Sequence, residues 1–157
     1  MAKYRNKLPQ GNGRVFLSDG GLETTLIFHE GFDLPFGEAF TLLDSEHGRR
    51  TLRDYFRRYA IVAGKAGVGF ILESPTWRAN RDWGARVGYS EAALADINRR
   101  AIDMLAEIRE DFETEASPMV ISGNVGPRAD AYFPEDLMTA EEARVYHAAQ
   151  VDVFART

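Results

Sequence analysis

Apolar residues in this chain follow two rhythms. Short runs (Val15-Phe16-Leu17, then Val68 with Phe70-Ile71-Leu72, then Met119-Val120-Ile121) read as buried strands. Between them the spacing changes to three and four. Leu52, Tyr55, Phe56, Tyr59, Ala60 and Ala63 fall on one face of a helix running from Ser45 to about Gly67. Arg49, Arg50, Arg53, Asp54, Arg57 and Arg58 cover its other side as a solvated face. A second helix follows Ser90, which suits a helix cap, with Leu94, Ile97, Ala101, Met104, Leu105, Ile108 and Phe112 as its core stripe. Thr139 and Glu142 form a T-x-x-E capping box that opens a third helix reaching the C-terminus. Gly31, Pro35 and Gly37 mark 27–45 as loop, and residues 75–89 and 128–138 read as two further long loops.

The order is therefore β-loop-α three times over, which predicts a parallel sheet with right-handed crossovers. Strands near 14–18, 69–73 and 119–122 should lie in the order 1-2-3 with the helices on one outer side. At 157 residues, without internal repeat or composition shift, the chain suits one domain over 14–157. Residues 1–13 are basic, have no apolar segment behind them and read as a flexible arm rather than a secretory signal.

In parallel sheets the chemistry gathers at the carboxyl ends of the strands. Here those ends carry Asp19-Gly20-Gly21, Glu73-Ser74-Pro75-Thr76 and Gly123-Asn124-Val125-Gly126-Pro127. Two of the loops that follow are longer than the usual 2–6 residues of a βα connection, which suggests a binding site on that face. The carboxylate of Asp19 can be a turn former or helix cap, or it can hold a cationic group of a substrate. Trp77 and Trp83 suit the mouth of such a site and loop anchoring equally.

Composition narrows the chemistry. A net charge of −5 argues against non-specific nucleic-acid binding and against an anionic membrane surface. No apolar run approaches the roughly 20 residues of a membrane helix, so a cytoplasmic protein is the default expectation. There are no cysteines, which removes disulfides, cysteine nucleophiles and thiolate metal sites from this chain. His29, His47 and His147 lie far apart, without H-x-x-x-H spacing, and read as surface or cap residues. Gly11-Asn12-Gly13 and Gly123-Asn124-Val125-Gly126 match neither glycine-rich nucleotide fingerprint.

Taken together, three motifs in order resemble the homocysteine S-methyltransferase family. "SDGGLETTL" is similar to its D-G-[GA]-x-x-T opening. "AGKAGVGFILESPTWRAN" is similar to its A-G-A-D-x-I-x-T-x-T-Y-x-A segment, and "VISGNVGP" to V-A-G-S-V-G-P; Asn98 also matches a family position. The resemblance implies a partial TIM (β/α)8 barrel, its first three βα units with parallel strands. It also implies methyl transfer from a methyl donor to the sulfur of homocysteine, a small thiol amino acid, with zinc held by three cysteines. Carried onto this sequence, Asp19 grips the substrate ammonium, and the backbone around Gly20, Gly21, Glu23 and Thr24 takes its carboxylate. Glu73, Thr76 and Asn124 complete the substrate-binding set at the second and third strand ends.

The zinc cysteines and a fourth-strand glutamate belong to parts of the family pattern that this chain lacks. No catalytic or metal-binding residue is therefore expected in it, and no zinc bound by it. Glu73 and Ser74 replace the family's usual residues at the second strand end, which points to altered substrate preference. Two readings follow: one part of a methyltransferase barrel, or a non-catalytic half-barrel that binds an amino-acid-like ligand or a partner chain. A barrel has no sheet edge, so three strands alone should self-associate or need a complementary C-terminal half.

Overall fold

The computed structural model describes residues 3–132 and 137–157. Three strands, β1 (Phe16–Ser18), β2 (Gly69–Glu73) and β3 (Met119–Ser122), form a parallel sheet in the order β1-β2-β3. The expected strand order and direction hold. The register pairs Leu17 with Phe70 and Phe70 with Met119, so side chains alternate between two faces of very different character.

Leu17, Phe70, Leu72, Met119 and Ile121 point into the core. They meet Leu52, Phe56 and Ala60 of helix α2 (Glu46–Ala66) and Ile97, Ala101 and Leu105 of α4 (Glu91–Phe112). The opposite face carries Phe16, Ser18, Ile71, Glu73, Val120 and Ser122, and much of it is open. Gly69 is required there. A Cβ at this position would lie 2.3 Å from the Phe16 ring.

The helix starts follow the sequence signals. Ser45 Oγ accepts from the Gly48 N–H at 2.9 Å, Ser90 Oγ from Ala93 at 3.2 Å, and Thr139 with Glu142 completes the capping box of α5 (Ala140–Arg156). Helix α5 packs against α4.

The structure departs from the sequence reading in three places. The first strand is Phe16–Ser18 alone, because Val15 is 64% exposed and pairs with β2 only through its carbonyl. The 27–45 stretch is a series of short turns rather than open loop. A three-residue α1 (Leu22–Thr24) runs into a π turn, Thr25–His29, and 3-10 turns follow at Pro35–Gly37 and Ala39–Asp44. These turns bury Leu26, Leu34, Phe40 and Leu43. Gly31, Pro35 and Gly37 cut the segment into pieces too short to show a helical period. Within 75–89 a six-residue α3 (Arg81–Arg86) forms, capped by Asn80, whose Oδ1 accepts from the Trp83 N–H at 3.3 Å. Of the 128–138 loop, residues 133–136 lie outside the described residues.

Residues of the expected N-terminal arm run back to the turn before β3. Tyr4 Oη donates to Glu113 Oε1 at 2.6 Å, and Lys3 pairs with Glu113 Oε2 at 2.5 Å. Glu113 Oε1 also accepts from the Met119 N–H at 2.9 Å. One carboxylate thus joins the arm to the start of β3.

Candidate functional site

The three strands end on the same rim, and there a cavity of about 150 Å³ opens. Asp19, Gly21 and Glu23 border it from the turn after β1, Glu73, Ser74 and Pro75 from the end of β2, and Asn124 from the turn after β3. Five of the eight sequence-predicted site residues are therefore brought together: Asp19, Gly21, Glu23, Glu73 and Asn124. Gly20 and Thr24 stand beside the cavity without lining it, and Thr76 is fully buried below its floor. Gly21 has φ of 66°, the left-handed conformation that turns the chain from strand into α1.

Asp19 is half-buried and held by a tyrosine. Tyr55 Oη donates to Asp19 Oδ2 at 2.8 Å and lies 3.2 Å from the Gly20 carbonyl, which also accepts from Tyr59 Oη at 3.2 Å. Burial pushes the Asp19 carboxyl above the usual carboxylate range, and the Tyr55 hydrogen bond partly opposes this. Burial, followed by the Asp19 contact, drives the Tyr55 hydroxyl upward too, so it remains a donor. Glu23 is raised chiefly by burial and further by the Asp19 charge; its own backbone N–H and Arg78 pull it back. Two desolvated acids thus share one wall.

A polar network beneath the cavity locks the strand ends together. Thr76 Oγ1 donates to the Asn124 carbonyl at 2.9 Å, and Ser74 Oγ in turn donates to Thr76 Oγ1 at 2.6 Å while accepting the Asn124 N–H at 2.9 Å. From α5, Gln150 Nε2 reaches the Thr76 carbonyl and Asn98 Oδ1, both at 2.9 Å. Asn98 Nδ2 donates to the carbonyls of Ala79, at 3.0 Å, and Leu94, at 2.8 Å. Thr76 therefore shapes the site from below. Sequence reasoning missed Tyr55 and Gln150. Tyr55 sat among core-stripe positions, whereas Gln150 left one trace, a polar residue four positions after Tyr146 on a buried helix face.

Trp77 and Trp83 anchor the β2–α4 loop by stacking with arginine. The Arg78 guanidinium lies 3.9 Å from the Trp83 ring centre and 4.6 Å from that of Trp77, and Arg86 lies 4.2 Å from Trp83 on its own account. Arg78 also donates to the carbonyl of Phe36. Glu38 lies nearby, fully buried, with neither carboxylate oxygen hydrogen-bonded among the described residues. Burial raises its carboxyl to about 7 against the pull of Arg78 and Arg86.

The described residues form an open parallel α/β sheet with a cavity on its carboxyl rim. The homocysteine S-methyltransferase family model matches residues 16–157, and the chain belongs to that family. Among solved structures it is similar to the homocysteine methyltransferase MmuM from Escherichia coli. The oxidized form superposes with a TM-score of 0.68 at 20% identity, covering 90% of this chain and 49% of that one. The metallated form gives 0.65 at 19% identity, covering 91% and 50%. The chain thus spans about half the length of these structures, and at such identity the likeness is one of fold. No curated protein matches the sequence significantly.

The donor set does not fit the metal that the family implies. The sequence has no cysteine, and no group of three His, Asp, Glu or Cys suited to a metal ion occurs among the described residues. Nor is any helix among the described residues long and apolar enough to cross a membrane.

Proposed function

We propose that this chain supplies the substrate-holding part of a homocysteine S-methyltransferase-like enzyme, its cavity receiving a small thiol amino acid. The observation that carries the reading is the Asp19–Tyr55 pair at the mouth of a cavity bordered by three separate strand ends. An ionised Asp19 attracts the ligand ammonium, and the Tyr55 hydroxyl fixes the carboxylate's direction by occupying one oxygen. The backbone from Gly21 to Glu23 faces the ligand carboxylate, and Glu73 and Asn124 close the far wall. Metal, methyl donor and the transfer step would then act from a complementary C-terminal half.

A charge-assisted hydrogen bond is worth about 1.5–3 kcal/mol, so Asp19→Asn should weaken homocysteine binding by roughly tenfold or more. Titration calorimetry on the purified chain decides this, and unchanged affinity would remove Asp19 from the role. A second reading is a non-catalytic half-barrel that binds an amino-acid-like ligand. Methyl transfer to homocysteine on mixing this chain with a metal-loaded complementary half supports the first reading. Binding without transfer in that mixture supports the second.

A further inference from the structure

We propose that a second cavity, where α4 and α5 meet the start of α3, binds a small α-amino acid with an aliphatic side chain. It has a volume of about 180 Å³ and shares no lining residue with the strand-end cavity. Leu94 and Ala95 of α4 and Val145 and Ala149 of α5 give it an aliphatic wall. Two alanines among these four keep the gap between the helices from closing. A single water needs only about 10–15 Å³, so the space has room for a side chain.

The polar part of the lining suits an amino-acid head group. Gln150 borders the cavity and is 5% exposed. Its Nε2 is used on the Thr76 carbonyl and on Asn98 Oδ1, while its Oε1 is buried with no hydrogen-bond partner among the described residues. A buried oxygen in that state calls for a donor, and an ammonium supplies one. Arg81 and Glu91 are the charged residues of the lining, one of each sign. The Arg81 guanidinium lies 4.8 Å from the Tyr146 ring centre, and Tyr146 precedes Gln150 by one turn of α5, about 5.4 Å. A carboxylate at Arg81 and an ammonium at Gln150 can therefore belong to one small molecule. Arg81 Nε stands 3.6 Å from Asp82, too far for a hydrogen bond, so its fork is open to that carboxylate. Glu91, in no ion pair among the described residues, gives the ammonium a counter-charge. A net anion or cation would meet one charge of its own sign here, whereas a zwitterion satisfies both.

The test titrates the purified chain with L-leucine, which has no sulfur, and with its deaminated and decarboxylated analogues, 4-methylpentanoate and 3-methylbutylamine. Calorimetry should show leucine bound roughly tenfold more tightly than either analogue. Ala149→Phe fills the cavity from an exposed helix position and should abolish leucine binding while the melting curve stays cooperative. R81Q and E91Q, also at exposed positions, should each weaken binding severalfold. D19N should leave leucine affinity within about twofold, because the strand-end cavity takes no part. Loss of binding in D19N but not in A149F places leucine at the strand-end rim and overturns the assignment. A wild-type chain that does not bind leucine, or binds either analogue as tightly, overturns it too. If A149F fails to fold, R81Q and E91Q decide, and undiminished binding in both contradicts the proposal.

Discussion

Two desolvated carboxyl groups, the half-buried Asp19 and the buried Glu38, differ from ordinary surface acids, and each makes a prediction. Asp19 must be ionised to hold an ammonium, and burial places its titration above the usual carboxylate range. Acidification should therefore abolish ligand binding at a higher pH than an exposed aspartate, near 3.9, would require. A calorimetric pH series that keeps full affinity down to that region contradicts the burial argument. Glu38 matters for stability instead. Its carboxyl titrates near 7 in the fold against an ordinary 4.5, so the folded state binds the proton more tightly than the unfolded chain. Stability is greatest below the lower value and falls as pH rises towards 7, by on the order of 3 kcal/mol. Glu38→Gln removes this dependence. Its melting temperature should match the wild type near pH 4 and exceed it at pH 8; parallel curves would show that Glu38 finds a partner when ionised. At this scale Asp19 was legible because a carboxylate and two glycines behind a strand are unusual. Its partner was not, since Tyr55 lies 36 residues on and only the crossover of α2 brings its hydroxyl to the strand end.

Among the elements, periodicity revealed what is long and left the short pieces unread. Helices α2 and α4 follow their apolar stripes closely, and the caps at Ser45, Ser90 and Thr139 all form. The turns between 25 and 44 and the six-residue α3 are fixed by where Leu26, Phe40 and Trp83 find cover, which no local pattern records. The strand-end network is equally non-local, because Gln150 acts on carbonyls contributed by loops 26 and 74 residues earlier. Close approach at the sheet also has a measurable cost. Gly69→Ala puts a methyl into the Phe16 ring, and the forced shift should destabilise the fold by about 1–3 kcal/mol. Chemical denaturation can check this, and a neutral substitution would mean that the ring moves aside freely.

At the scale of the molecule, three strands leave two unpaired edges among the described residues and a partly open face holding Phe16 and Ile71. Along the β3 edge, Leu8, Ile102, Val120 and Phe154 line a further groove of about 470 Å³. Unpaired edges invite another chain, so light scattering on the purified chain should give a mass above the 17.6 kDa of one copy. A stable monomer at micromolar concentration would show that the edges are adequately protected. The central claim remains the placing of an amino-acid ligand on the strand-end rim. Its most direct test is a crystal structure of the chain with bound homocysteine. The ammonium should lie within hydrogen-bonding distance of the Asp19 carboxylate, inside the cavity shared with Glu73 and Asn124. Density for the ligand elsewhere, or an ammonium that avoids Asp19, would contradict the account.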